Sequence, residues 1–102
     1  MARSSLQTLT EPMYYILLSL CTECCGVDVM AKVNEISEGR VTVGPGTLYT
    51  MLSKFEEMGI VKKTREENRK KWYVITDTGK ELLWKEQERL KRQIADGEKI
   101  LL

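Results

Sequence analysis

The chain has 102 residues, 42% hydrophobic and 30% charged, with a formal net charge of +1. That is one domain of ordinary globular composition with a modest core, which a partner subunit would help to stabilise. It has no run near the roughly 18 apolar residues of a membrane span, and no His, so the usual general base and the commonest zinc ligand are both missing.

No Gly-x-Ser-x-Gly, no Gly-x-x-x-x-Gly-Lys and no cysteine-pair zinc spacing is present. An enzyme is therefore not expected, and no catalytic residue, metal ligand or cofactor is assigned. The opening Met-Ala-Arg-Ser-Ser-Leu is not followed by a continuous apolar signal core, so export is not expected. Three cysteines within five residues, Cys21, Cys24 and Cys25, do not form a secreted disulfide framework, and a cytoplasmic location is expected.

In chain order, Leu6 and Leu9 either extend a first helix or form a short arm before it. Thr10-Glu11-Pro12 supplies a capping hydroxyl, an acid and a first-turn Pro, a helix start. The following Met13–Cys21 is apolar almost all round and predicts a heavily buried helix, with Cys21 on its buried stripe. Gly26 breaks that pattern. A second helix from about Val27 to Glu38 sets Val29, Met30, Val33 and Ile36 on one face, and Gly39 ends it in a left-handed conformation. Residues 40–43 are a connector or a brief strand.

A third helix from about Pro45 to Met58 buries Leu48, Leu52 and Phe55 at spacings of four and three. Its opposite face carries Thr47, Thr50, Ser53, Lys54 and Glu57, with Tyr49 on the flank. Gly44 and Gly46 leave its electropositive start bare. Ile60–Arg65 and Lys71–Thr76 read as two strands joined by a turn over 66–70. Tyr73 and Ile75 share one face of the return strand, Trp72 and Val74 the other, so one aromatic joins the core.

The charge is uneven. Residues 62–76 hold Lys62, Lys63, Arg65, Arg69, Lys70 and Lys71 against Glu66 and Glu67, and such a local excess suits a phosphate backbone. Thr76-Asp77 caps a last helix running to the C-terminus, roughly 24 residues and about 36 Å long. Its seam of Leu83, Gln87, Leu90, Ile94, Gly97 and Leu101 has a period of 3.5, the mark of a helix paired with its copy; the alternative is packing on the chain's own body.

Helix, helix, helix, hairpin, helix, with basic charge in the hairpin, is the order of a winged helix-turn-helix. The expected fold is mainly α with a small β-hairpin: a winged-helix DNA-binding domain over 1–76 and a C-terminal dimerisation helix over 77–102. Gly46, Thr47, Tyr49, Thr50, Ser53, Lys54, Arg65, Arg69, Lys70 and Lys71 are the candidate DNA-binding residues. Leu83, Gln87, Leu90, Ile94 and Leu101 are the candidate dimer residues. Two rival readings use the same features: a winged-helix module for protein–protein assembly, and a regulator that senses metal or redox state through its cysteines.

Pro45-Gly46-Thr47-Leu48-Tyr49, with Leu52 and Phe55-Glu56-Glu57-Met58-Gly59-Ile60-Val61, resembles the recognition helix and first wing strand of PadR-like transcriptional regulators. Arg69-Lys70-Lys71-Trp72-Tyr73-Val74-Ile75-Thr76-Asp77-Thr78-Gly79 resembles that family's R-K-Y-Y-x-L-T-x-x-G. The resemblance covers about residues 10–85 and points to the short branch with a single C-terminal helix. It implies a homodimeric repressor on a two-fold operator in double-stranded DNA. Release would come from a small aromatic or drug-like ligand, bound in some members between the first and last helices. Two positions depart from the pattern: Cys25-Gly26-Val27 stands where the family usually has His-Gly-Tyr, and Gly44 where it usually has Ser.

Overall fold

The computed structural model describes residues 8–101. Helix α1 spans Glu11–Ser19, strand β1 Cys24–Cys25, helix α2 Gly26–Ile36 and helix α3 Pro45–Glu57. Strands β2 (Val61–Glu67) and β3 (Lys70–Ile75) form the wing, and helix α4 runs over Asp77–Leu101. Of the two residues proposed to precede α1, Leu6 lies outside the described residues, and Leu9 is buried in the core.

Helix α1 starts where its sequence says it should, whereas α2 begins at Gly26, which reads in sequence as the break before it. The Thr10 hydroxyl accepts from the Met13 amide at 3.3 Å and Pro12 sits in the first turn of α1. This satisfies one first-turn donor and spends a position whose amide had no partner anyway. Helix α1 ends at Ser19, two residues short of the expected stop. Cys21 therefore lies beyond the helix and is exposed, whereas Cys24 and Cys25 are buried. The helical stripe that would have buried Cys21 does not reach it.

The core joins Ile16, Leu17 and Leu20 of the α1 region to Val29 and Val33 of α2 and to Leu48, Leu52 and Phe55 of α3, with Tyr73 and Ile75 of the sheet closing it. A fully buried aliphatic or aromatic side chain contributes on the order of 1.5–3 kcal/mol. The Leu48, Leu52 and Phe55 stripe is therefore what fixes the rotation of α3 about its axis. Ile36, expected on the buried face of α2, is instead exposed, and Met30 is half-buried. Helix α2 stops at Ile36, and Glu38 and Gly39 both take positive φ, 54° and 80°. Residues 40–43 form no strand; Val41 and Val43 drop into the core, and the Ser37 hydroxyl accepts from the Val41 amide at 3.0 Å.

The sheet has a third strand that periodicity did not reveal. Its order is β1-β3-β2, all antiparallel, with Cys24 opposite Tyr73 and Cys25 opposite Trp72. Two residues carry no alternation to read. Their pairing comes from β3, a partner about fifty positions away in the sequence.

The first turn of α4 is locked to the end of the hairpin. The Thr76 hydroxyl donates to the Gly59 carbonyl at 2.7 Å and accepts from the Gly79 amide at 3.1 Å. A Cβ at Gly79 would fall on the Ile60 carbonyl oxygen and within 2.6 Å of Ile75 Cγ1. Only glycine lets the helix sit this close. Further along, Leu83 is buried in the chain's own core, the Gln87 amide donates to the Tyr14 hydroxyl at 3.2 Å, and Glu86 is buried beside α1. Beyond Leu90 the helix leaves the body, and Ile94, Ile100 and Leu101 are exposed.

Candidate nucleic-acid interface

Helix α3 begins without a side-chain cap. Its N-cap is Gly44, extended at φ −81° and ψ 164°, followed by Pro45 at the first helical position. The first-turn amides have no partner inside a helix. With Gly44 to Thr47 all exposed, their positive end faces solvent, where an anion is favoured. Because Leu48, Leu52 and Phe55 point inward, Thr47, Thr50, Ser53, Lys54 and Glu57 are held outward and Tyr49 is 42% exposed. Short hydroxyls along the start of such a helix suit base edges and phosphates.

The wing is longer and its turn tighter than the sequence suggested. Strand β2 continues to Glu67 and pairs it with Lys70, leaving Asn68-Arg69 as a two-residue turn. Both turn residues have positive φ, 52° and 69°, as in a type I′ hairpin. A register shift between Lys63 and Arg65 leaves Thr64 as an extra residue, whose hydroxyl donates to the Glu23 carboxylate.

The six wing cations are not equivalent. Lys63 pairs with Glu66 at 3.0 Å, which raises the pKa of the lysine and lowers that of the carboxylate. Arg65 pairs with Glu67 at 2.9 Å, and its guanidinium lies 3.9 Å from the centroid of the Trp72 ring. Stacking of that kind occupies the flat face of the guanidinium. Lys62, Arg69, Lys70 and Lys71 make no ion pair among the described residues.

Three of these cations meet α3 across a groove of about 320 Å³. Arg69, Lys70 and Lys71 form one wall, Tyr49 and Ser53 the other, and Gly26, Val27 and Tyr73 close it below. Of the ten predicted interface residues, five line this groove. Gly46, Thr47, Thr50 and Lys54 lie on α3 outside it, and Arg65 lies further up the wing. Gly26 and Tyr73 were not predicted: one reads as a helix breaker, the other as a core aromatic. The available hint was the family pattern His-Gly-Tyr, which places Gly26 at the start of the second helix.

The cysteines do not assemble into a site. All three are free, and among the described residues no group of three or more His, Cys, Asp or Glu side chains is placed to hold a metal ion. Burial pushes the Cys24 thiol pKa up, which Lys32 only partly offsets, so this sulfur is a poor thiolate.

The sequence model of the "Transcriptional regulator PadR-like family" matches residues 16–85, and no curated protein matches the chain. Among solved structures the chain resembles a transcriptional regulator from Clostridium thermocellum (TM-score 0.74, 17% identity, 90% of this chain and 93% of that one). It also resembles a PadR-like transcriptional regulator from Bacillus cereus (TM-score 0.71, 21% identity, 88% and 90%). A third is a PadR family transcription regulator from Clostridium difficile (TM-score 0.63, 24% identity, 83% and 95%). At these identities the likeness is one of fold.

Proposed function

Because the chain belongs to the PadR-like family of transcriptional regulators, and so is a DNA-binding regulator rather than an enzyme, we propose that it acts as a homodimeric repressor released by a small organic ligand. The observation that carries its DNA contact is the groove in which wing-tip cations free of ion pairs face the outward side of α3. Helix α3 enters the major groove, with Thr47, Tyr49, Thr50 and Ser53 toward base edges. Arg69, Lys70 and Lys71 follow the adjacent backbone, a division of labour typical of winged helices.

The far half of α4 supports the dimer. Leu83 and Gln87 are engaged within the chain, which leaves Leu90, Ile94 and Leu101 as the seam available to a second copy. Two copies would present two recognition helices to a two-fold operator. A cleft of about 270 Å³ between α1 and α4, lined by Leu9, Tyr14, Tyr15, Glu86, Arg89 and Leu90, supports the ligand. Its mixture of aromatic rings and a charged pair suits a small aromatic effector. Among the described residues no helix is long and apolar enough to cross a membrane.

The test is binding to duplexes covering the DNA beside the protein's own coding region. Affinity should fall steeply between about 50 and 200 mM salt, and footprinting should mark a two-fold repeat. Tyr49→Ala and Thr50→Ala should weaken operator binding more than binding to unrelated duplex, whereas Lys70→Ala should weaken both alike. No retention on duplex at low salt would refute the reading.

A further inference from the structure

Between α2, α3 and the wing tip, the floor of the groove carries features that base reading does not need. Helix α2 has eleven residues and starts at Gly26 with no side-chain cap, its N-cap being Cys25. Tyr73 is only 5% exposed, yet among the described residues its hydroxyl has no hydrogen-bond partner. A hydroxyl on so enclosed a ring gains from any ligand that accepts its hydrogen bond, and Tyr73 lines the groove.

A hydroxyl donor, bare helix amides and three cations around one groove favour a small anion as its occupant. Tyr49 Cε1 and its hydroxyl oxygen lie 3.3 and 3.5 Å from where a Gly26 Cβ would stand, and Tyr73 Cε1 lies 3.5 Å from the same point. Both rings thus converge on the one residue without a side chain. Above them stand Arg69, Lys70 and Lys71. Burial, then Glu56, keeps the Tyr73 pKa above its ordinary value, so at neutral pH the hydroxyl is a donor. The carboxylates that act on it, Glu56 and Glu66, are not among the residues lining the groove.

We propose that this groove seats one phosphate group of the DNA backbone, held by the Tyr73 hydroxyl and the first amides of α2 on the floor and by the wing-tip cations above. The assignment rests on the DNA-binding reading and adds to it a fixed point of register. One phosphate locked between α2, α3 and the wing sets the depth at which α3 enters the major groove. Glycine at position 26 keeps the seat open.

Tyr73→Phe tests it, because the ring and its packing stay and only the donor goes. Affinity should drop at least about tenfold, the scale of one hydrogen bond to a charged group. The drop should be equal on duplex from beside the coding region and on duplex of unrelated sequence, with an unchanged salt slope because no cation is lost. Unaltered melting would show that the fold is intact. In parallel, inorganic phosphate should shift the Gly26 and Val27 amide resonances of the wild type and leave those of Tyr73→Phe unmoved. Wild-type affinity in Tyr73→Phe, with no response to phosphate, overturns the seat. Wild-type affinity with amides that do respond overturns the DNA assignment and leaves a site for a free anion. If the wild type binds no duplex, the regulator reading and the backbone assignment both fall, and the phosphate titration decides the seat separately.

Discussion

Replacing Gly79 with Ala sets two effects of similar size against each other, and the structure decides between them. Ala is favoured over Gly in a helix by about 1 kcal/mol, less near the N-terminus, so propensity alone predicts a stabler protein. The new Cβ, however, would lie on the Ile60 carbonyl and 2.6 Å from Ile75 Cγ1. Carbon atoms prefer about 3.5–4 Å, so the start of α4 must back away by roughly 1 Å. The obstacle is backbone and cannot turn aside. Overpacking of this kind costs about 1–3 kcal/mol. The retreat also strains the Thr76 hydroxyl bond to Gly59 and the Thr76 amide bond to Ile60, 2.7 and 3.1 Å long, with about 1 kcal/mol at stake in each. The net loss is about 2 kcal/mol, which lowers Tm by about 10 °C in a domain of this size. Thermal unfolding followed by circular dichroism, at one protein concentration so that association does not enter, measures it. A Tm equal to or above that of the wild type would show that α4 is not wedged on the hairpin as described.

Arg69→Gly should separate stability from binding. Arg69 occupies φ 69°, where a side chain costs about 1 kcal/mol that glycine avoids; Tm should rise by about 5 °C while duplex affinity falls. If the chain pairs through α4 as proposed, wild type should scatter light as a dimer and Leu90→Asp as a monomer, and an unchanged mass would remove the α4 seam from the interface. Glu86 is buried and its carboxylate is held below its ordinary pKa, chiefly by Arg89 at 2.5 Å. A depressed folded pKa means stability that is present above the unfolded value and lost as pH falls through the folded one. Denaturation from pH 7 downward should therefore show the wild type weakening below about 4.5. Glu86→Gln should be less stable at pH 7 but flatter across that range; parallel curves would count against the ion pair.

Much of this protein could be read from local pattern. The Thr10 cap, the Leu48, Leu52 and Phe55 stripe, the alternation of Tyr73 and Ile75, and the cluster of cations over 62–71 are all set by neighbours within a few residues. Helical and strand periodicity register them directly. From these came the winged helix, the outward face of α3 and the basic wing.

What the sequence by itself could not determine depends on residues far apart in the chain. Strand β1 exists because β3 offers it a partner, and Cys24 and Cys25 are buried for that reason while Cys21, closer to the apolar stripe, is not. Composition counted six wing cations as equal, but Glu66, Glu67 and the Trp72 ring engage Lys63 and Arg65 and leave the tip free. Gly26 and Gly79 look alike as helix-edge glycines. One keeps a groove open between two tyrosines and the other admits a carbonyl, and only packing across the fold tells them apart. Local chemistry chose the elements. Which surfaces they left empty was settled by close packing, where space is allotted by whichever segment arrives from elsewhere in the chain.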